Sequence, residues 1–125
     1  MSIPVATPKG VVRRWVAAFN AADADALAAL YHDDAIDHQV ALEPVHGRDA
    51  IRARFAEEFA ATPMEYVPAN LFEDGEWVIL EWKGPDGFLG CGFFEIIDNR
   101  IKLHRGYWDR LSAAQAQAAV QPSKD

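Results

Sequence analysis

A chain of 125 residues with a net charge of -7 has the size of one domain, and residues 1–125 read as one, with a core over about 8–112. Half its residues are hydrophobic and a quarter charged, which argues against wholesale disorder, and the acidic balance argues against nucleic acid or an anionic membrane as the main partner. The single cysteine, Cys91, rules out an internal disulfide; with no apolar run behind a basic start and no window near about eighteen apolar residues, the sequence reads as cytoplasmic, without leader or membrane span.

Residues 8 to 20 read as a helix. Pro8 suits its first turn, and Val12, Trp15, Val16 and Phe19 fall at i, i+3, i+4 and i+7, one apolar stripe. The run "AADADALAALY" restarts a helix, with Asp23 as N-cap and Leu27, Leu30 and Tyr31 as its buried side. The run "HDDAIDHQV" breaks that helix and becomes a first, short extended segment, unusual in carrying Asp37, His38 and Gln39 in a row. "EPVHG" is a turn, and "GRDAIRARFAEEFA" a third helix. Its Ile51, Phe55 and Phe59 lie one turn apart, and Arg48, Arg52, Glu57 and Glu58 form a solvated face.

After Pro63 the pattern turns to strand. "MEYVPANLF" contains Pro68, which suits an edge or a bulge, and "EDG" is a hairpin turn. In "EWVILEWKG", Trp77, Ile79 and Glu81 share one face and Val78, Leu80 and Trp82 the other. "GPDG" turns again; "FLGCGFFEII" is a long strand, "DNR" a turn, and "IKLHRGYWDRL" the last strand. From Ser112 onward the Ala/Gln-rich end reads as a short helix or frayed tail. The order is helices first, then an antiparallel meander, an α+β layout with helices on one side of a sheet. A strongly curved sheet wrapped over helices leaves a cone-shaped hollow suited to a small molecule.

Three phrases carry a resemblance. "AAFNAADADALAALYHDDAI", "EPVHGRDAIRARF" and "GFFEIIDNRIKLHRGYWDRL" together resemble the SnoaL-like branch of the nuclear transport factor 2-like superfamily, over residues 8 to 112. The resemblance implies a cystatin-like, cone-shaped α+β barrel with a mixed or antiparallel sheet, and a homodimer formed through the outer sheet face. It does not imply one activity, because the fold hosts isomerases, dehydratases, epoxide hydrolases, cyclases and binding proteins. "LEWKGPDGFLGCGFFEI" and "RGYWDRLS" look most like bacterial SnoaL-like proteins of unassigned activity.

"EPVHGRDAI" resembles limonene epoxide hydrolase. On that resemblance the water-holding tyrosine and asparagine fall on Asp37 and Gln39, and the charged triad falls on Trp82, Gly84 and Gly106, so all three charges are absent. "YHDDAI" is similar to ketosteroid isomerase, whose base falls on His38 or Gln39. The essential aspartate of the SnoaL polyketide cyclases falls near Gly106.

With the strand period, the resemblance implies that Asp37, Gln39, Val78, Leu80, Trp82, Phe88, Gly90, His104, Gly106 and Trp108 face into the cone. His38, Trp77, Glu81, Cys91, Glu95, Arg105, Tyr107 and Asp109 then face outward. Asp37 and His104 form the acid–base candidate, with Gln39 orienting a water or a carbonyl; Leu80, Trp82, Phe88 and Trp108 wall the substrate, and His38 has a competing claim to it. The plainer alternatives are that Asp37 caps a turn and that His104 and His38 make structural hydrogen bonds. His32 and His46 read as solvated turn residues, Glu81, Arg105 and Asp109 as an ion network, and Cys91 as a small buried residue. No His-x-His, HExxH or paired-cysteine spacing appears, so no metal and no cofactor is expected.

The functional expectation is an enzyme using cofactor-free general acid–base chemistry on a small apolar or carbonyl-containing substrate, of isomerase, lyase, cyclase or hydrolase type. Two alternatives stay open: a non-catalytic binding protein for a hydrophobic metabolite, and an epoxide hydrolase-like activity with a changed catalytic set.

Overall fold

The computed structural model describes residues 7–62 and 64–120. The first residues, with their lack of a leader pattern, and the last five of the tail lie outside them. Eleven elements follow one another: α1 (Pro8–Asn20), α2 (Ala24–Ala28), β1 (Tyr31–Gln39), β2 (Val45–His46), α3 (Arg48–Ala61), β3 (Val67–Asp74), β4 (Trp77–Lys83), a single 3-10 turn (Pro85–Gly87), β5 (Leu89–Ile97), β6 (Arg100–Trp108) and α4 (Arg110–Val120). The six strands form one sheet in the order β2-β1-β6-β5-β4-β3. β1 and β6 run parallel, while the other neighbours are antiparallel. This is the α+β architecture with a mixed sheet.

Local chemistry explains most boundaries. Thr7 caps α1, its hydroxyl accepting from Gly10 N–H at 3.0 Å, and Asp23 caps α2 by accepting from Ala26 N–H at 3.0 Å. Pro68 sits on the edge strand β3, beside an irregularity in its pairing with β4, where a missing N–H costs no central ladder bond. The β5–β6 turn places Asp98 and Asn99 at φ 52° and 61°. Two positive φ values match the right-handed twist of a tight hairpin, and Asp and Asn tolerate them.

Several expectations need correction. α2 stops after five residues, and Tyr31 belongs to β1. β1 is nine residues long because β6 offers it a parallel partner from Tyr31 onward. "EPVHG" contains a two-residue strand, β2, paired with β1. The last strand ends at Trp108, and the tail begins α4 at Arg110. His32 lies in β1, half-buried, its Nε2 donating to the Ile97 carbonyl at 2.6 Å. Arg48 is half-buried and donates twice to the Tyr31 carbonyl, at 3.0 and 2.8 Å, while pairing with Asp33 at 2.7 Å.

The core lies between the helices and one face of the sheet. The predicted stripe of α1 is buried, as are Ile51, Phe55 and Phe59 of α3. Val78, Leu80 and Trp82 of β4 are buried too, and alternate with less buried neighbours. A run of stacked rings crosses the interior: Trp15 on Phe19 at 5.2 Å, Phe19 on Tyr66 at 4.2 Å, and Tyr66 on Trp82 at 3.9 Å. Each such pair adds about 0.5–1.5 kcal/mol beyond its buried area. The run fixes how far the cone can stay open.

Candidate active site

Parallel pairing sets Asp37 of β1 directly beside His104 of β6. Both are buried, at 2% and 3% exposure, in a core that otherwise buries few polar groups. Burial of that kind requires partners. His104 Nδ1 meets Asp37 Oδ2 at 2.8 Å. The Tyr31 hydroxyl donates to the same oxygen at 2.6 Å and itself accepts from Trp15 Nε1–H at 3.0 Å. Gln39 Nε2 donates to Asp37 Oδ1 at 3.1 Å. Burial pushes the Asp37 carboxyl up, but the His104 imidazole, with hydrogen bonds from His104, Tyr31 and Gln39, outweighs it and holds the carboxyl below its ordinary value. Asp37 is therefore an acceptor with its lone pairs in use. Burial, then the Asp37 charge, drive the Tyr31 phenol well above its usual value, so it stays a donor.

With Nδ1 turned to Asp37, the other ring nitrogen is left for chemistry. An Asp beside Nδ1 favours the proton there and leaves the Nε2 lone pair available. Nε2 looks across Gly92, where an added Cβ would lie 2.7 Å from it. Phe94 stacks flat on the imidazole at 4.1 Å, and Trp15 meets it edge-on at 5.2 Å. The ring is thus fixed in plane and tilt.

Gln39 explains one of the replaced positions. Its carboxamide lies over Gly106, in the space a side chain there would fill. At Gly84 the Phe88 ring closes the space, 3.2 Å from where an added Cβ would lie, and Trp82 is itself buried. The positions that resemble a charged triad are therefore packed by neighbours, not left open.

Two hollows lie near the pair, the inner one lined by His104. An inner chamber, with room of about 20 Å³, is walled by Trp15, Phe55, Leu80, Gly92, Phe94 and His104. That suits one water or a methyl-sized group, since a water needs roughly 10–15 Å³. A wider mouth of about 380 Å³ is lined by Leu42, Ala61, Met64, Phe88 and Trp108, with Arg54 and Glu57. Gln39, Glu58 and Tyr66 line both. Glu58, expected on the wet face of α3, is half-buried. Burial raises its carboxyl above the ordinary value, Arg54 pulls it back, and the Asp37 charge adds to the rise. Burial also raises the Tyr66 phenol, with Glu58 adding to it.

The structure bonds Asp37 to both Gln39 and His104; Gln39 and His104 line the chamber while Asp37 lies behind them, with Leu80 and Trp82 in the chamber wall and Phe88 and Trp108 at the mouth. Trp82 is 6% exposed and stacked on Tyr66, so it closes the cone more than it opens a platform. His38 is not brought in; it pairs with Arg105 along the strands and faces the other side. Two residues were missed. Tyr31 reads from the sequence as a helix residue and Glu58 as part of a charge run, although the i, i+3 spacing of Glu58 from Phe55 is a signal that it turns inward.

The expected ion network on the outer face does not form. Arg105 lies over the rings of Trp77 and Phe93, at 5.3 and 5.8 Å. Glu81 accepts from Asn70 at 2.6 Å, and Asp109 accepts from Ser112 N–H at 2.7 Å as the cap of α4. Cys91 is half-buried, not fully buried; burial and then Glu81 push its thiol up. A cleft of about 580 Å³ opens on this side, lined by Lys83, Leu89, Cys91 and Tyr107. It is the larger hollow but holds no paired acid and base. Among the described residues no cluster of three or more His, Cys, Asp or Glu could hold a metal ion, and no helix is long and apolar enough to cross a membrane.

The model of the SnoaL-like domain matches residues 12–104. The chain belongs to the SnoaL-like domain family. The chain matches no curated protein. Among solved structures, this SnoaL-like protein is similar to an LEH-like epoxide hydrolase of M. tuberculosis, at 22% identity over 88% of this chain and 91% of the other, with a TM-score of 0.76. A candidate polyketide cyclase of Xanthomonas campestris pv. campestris is 22% identical over 87% and 96% of the two chains, with a TM-score of 0.77. SalBIII, an epoxide hydrolase/cyclase-like enzyme with a role in pyran ring formation in the polyether salinomycin, is 19% identical over 84% and 92%, with a TM-score of 0.74. At these identities the likeness is one of fold.

Proposed function

We propose that this SnoaL-like protein is an enzyme of cofactor-free acid–base chemistry, acting on a small, mostly apolar molecule that carries a carbonyl or a comparable polar group. His104 Nε2 is the base and Asp37 its positioning partner. The observation that supports this reading is the buried 2.8 Å contact between Asp37 and His104 Nδ1, with His104 lining a chamber that shares Gln39, Glu58 and Tyr66 with the mouth. A buried, oriented imidazole beside a hollow is the usual form of a general base. The substrate body rests in the mouth against Leu42, Phe88 and Trp108, and only a methyl-sized end or a water reaches Nε2. Isomerisation, elimination, cyclisation and water addition all need that proton transfer. The last would be an epoxide hydrolase-like activity with a changed catalytic set, since the positions of the charged triad hold Trp82, Gly84 and Gly106.

A turnover screen of enones, epoxides, β-hydroxyketones and aromatic polyketide-like compounds tests the reading, with His104→Ala beside the wild type. Turnover that survives in the variant would sink it. The second reading, a binder of hydrophobic metabolites, is favoured by the mostly apolar mouth. It predicts a ligand that raises the melting temperature of both proteins and is recovered unchanged.

A further inference from the structure

We infer that Glu58 is a second catalytic residue: the proton donor that completes the base His104, for substrates that are neutral ketones with an α-hydrogen. The inference rests on the acid–base reading above and goes beyond it. Nothing about the charge pattern of α3 suggests the role; the placement does. Glu58 follows the buried Phe55 by three positions, so α3 turns its side chain inward and not to solvent. It then borders both the chamber that His104 borders and the mouth that a substrate must cross. Glu58 thus lines both hollows, whereas His104 lines the inner one alone.

The surroundings suit a carboxylic acid better than a carboxylate. From β1, the charge of Asp37 and the neutral Tyr31 act on it, and from the segment before β3, Tyr66; His104 of β6 lines the same chamber, and Arg54 and Glu57 of its own helix line the mouth beside it. Asp37 is held ionised by its own partners, so a second charge nearby is disfavoured. Tyr66 can donate a hydrogen bond there but holds its proton too tightly to give it up.

The step balances. Nε2 takes the α-proton, the C–H electron pair becomes the C=C bond of an enol, and the carbonyl π pair takes the Glu58 proton. An imidazolium, a carboxylate and an enol result, and reversal restores all three. In heavy water the reversal delivers a deuteron to carbon, so exchange is visible without knowledge of the natural substrate. The gap at the chamber admits a methyl-sized group, which makes acetophenone a fitting probe, its ring in the mouth and its methyl inward.

Loss of the acetophenone methyl signal in heavy water is followed by proton NMR between about pH 4.5 and 8. The wild type should exchange with a bell-shaped pH profile. Glu58→Gln should slow the maximum by roughly a hundredfold and leave a single limb. Glu58→Asp should keep both limbs at a reduced rate, and it stands in should Glu58→Gln fail to fold. Glu76→Gln, in the exposed β3–β4 turn, should match the wild type. Both limbs persisting in Glu58→Gln, or Glu58→Asp running at the full wild-type rate, would overturn the role of Glu58 while the His104 reading stands. Exchange that survives in His104→Ala, or a wild type that gives none, would overturn both.

Discussion

Two carboxyls near one chamber are shifted in opposite directions, and that makes their effects on stability opposite in sign. Asp37 is held low, so its contribution is present above the ordinary carboxyl range and disappears as pH falls through its folded value. Asp37→Asn keeps the shape but gives up an ionic acceptor. It should cost roughly 1–3 kcal/mol at pH 7, with a smaller loss in acid. Glu58 is held high, so the fold is favoured while Glu58 is protonated, and that advantage is lost as pH rises through its folded value. Glu58→Gln should therefore raise the melting temperature at pH 7 and not at about pH 4. Melts of both variants at the two pH values check the signs; equal shifts at both would mean that neither charge matters to the fold. Gly92→Ala places a methyl 2.7 Å from Nε2. It should cost roughly 1–3 kcal/mol as overpacking and remove whatever turnover His104 supports. The pairing of Asp37 with His104 was legible in the sequence because the family resemblance, taken with strand alternation, put both on one face. Tyr31 was not legible, because its apolar ring continued the helical stripe of Leu27 and only the parallel partner strand draws it into β1.

At the scale of elements, the sequence was clearest where one short-range rule governs. The stripe of α1, the alternation of β4 and the edge proline of β3 each follow from spacing alone. The start of α4 was misread because "YWDRL" continues a strand-like run, and Asp109 looked like one more strand residue. Its local bonds say otherwise. Asp109 Oδ2 accepts from Ser112 N–H at 2.7 Å, and Ser112 Oγ accepts from Leu89 N–H at 3.1 Å, which ties α4 to the start of β5. An N-cap followed three residues later by its hydrogen-bonded N–H is a helix start. Asp109→Ala should lower stability by about 0.5–2 kcal/mol. The exchange or turnover rate per folded molecule should not change, since Asp109 lies outside the chamber and the mouth. Denaturant unfolding measures the first and a rate per folded enzyme the second; a lost rate with full stability would assign α4 a part in the site.

At the scale of the molecule, the sheet has one face filled and one face waiting. The outer face carries Trp77, Phe93 and Tyr107, and Phe72 beside them is 55% exposed. Arg105 is spread over Trp77 and Phe93, and its Nε is buried without a hydrogen-bond partner among the described residues. A buried donor left so costs about 1–3 kcal/mol. We propose that a second copy of this chain covers this face and excludes water from its exposed apolar rings. A stable pair needs about 800 Å² from each partner, and a six-stranded face offers that scale of surface. Phe72→Glu puts a charge on the exposed ring position without touching the core behind it. The wild type should give a dimer mass by light scattering, and Phe72→Glu a monomer with an unchanged circular dichroism spectrum. A monomeric wild type at working concentration would remove the second copy. The exposed rings would then need a different occupant, while the chamber on the opposite face, which draws every wall from one chain, would keep its geometry.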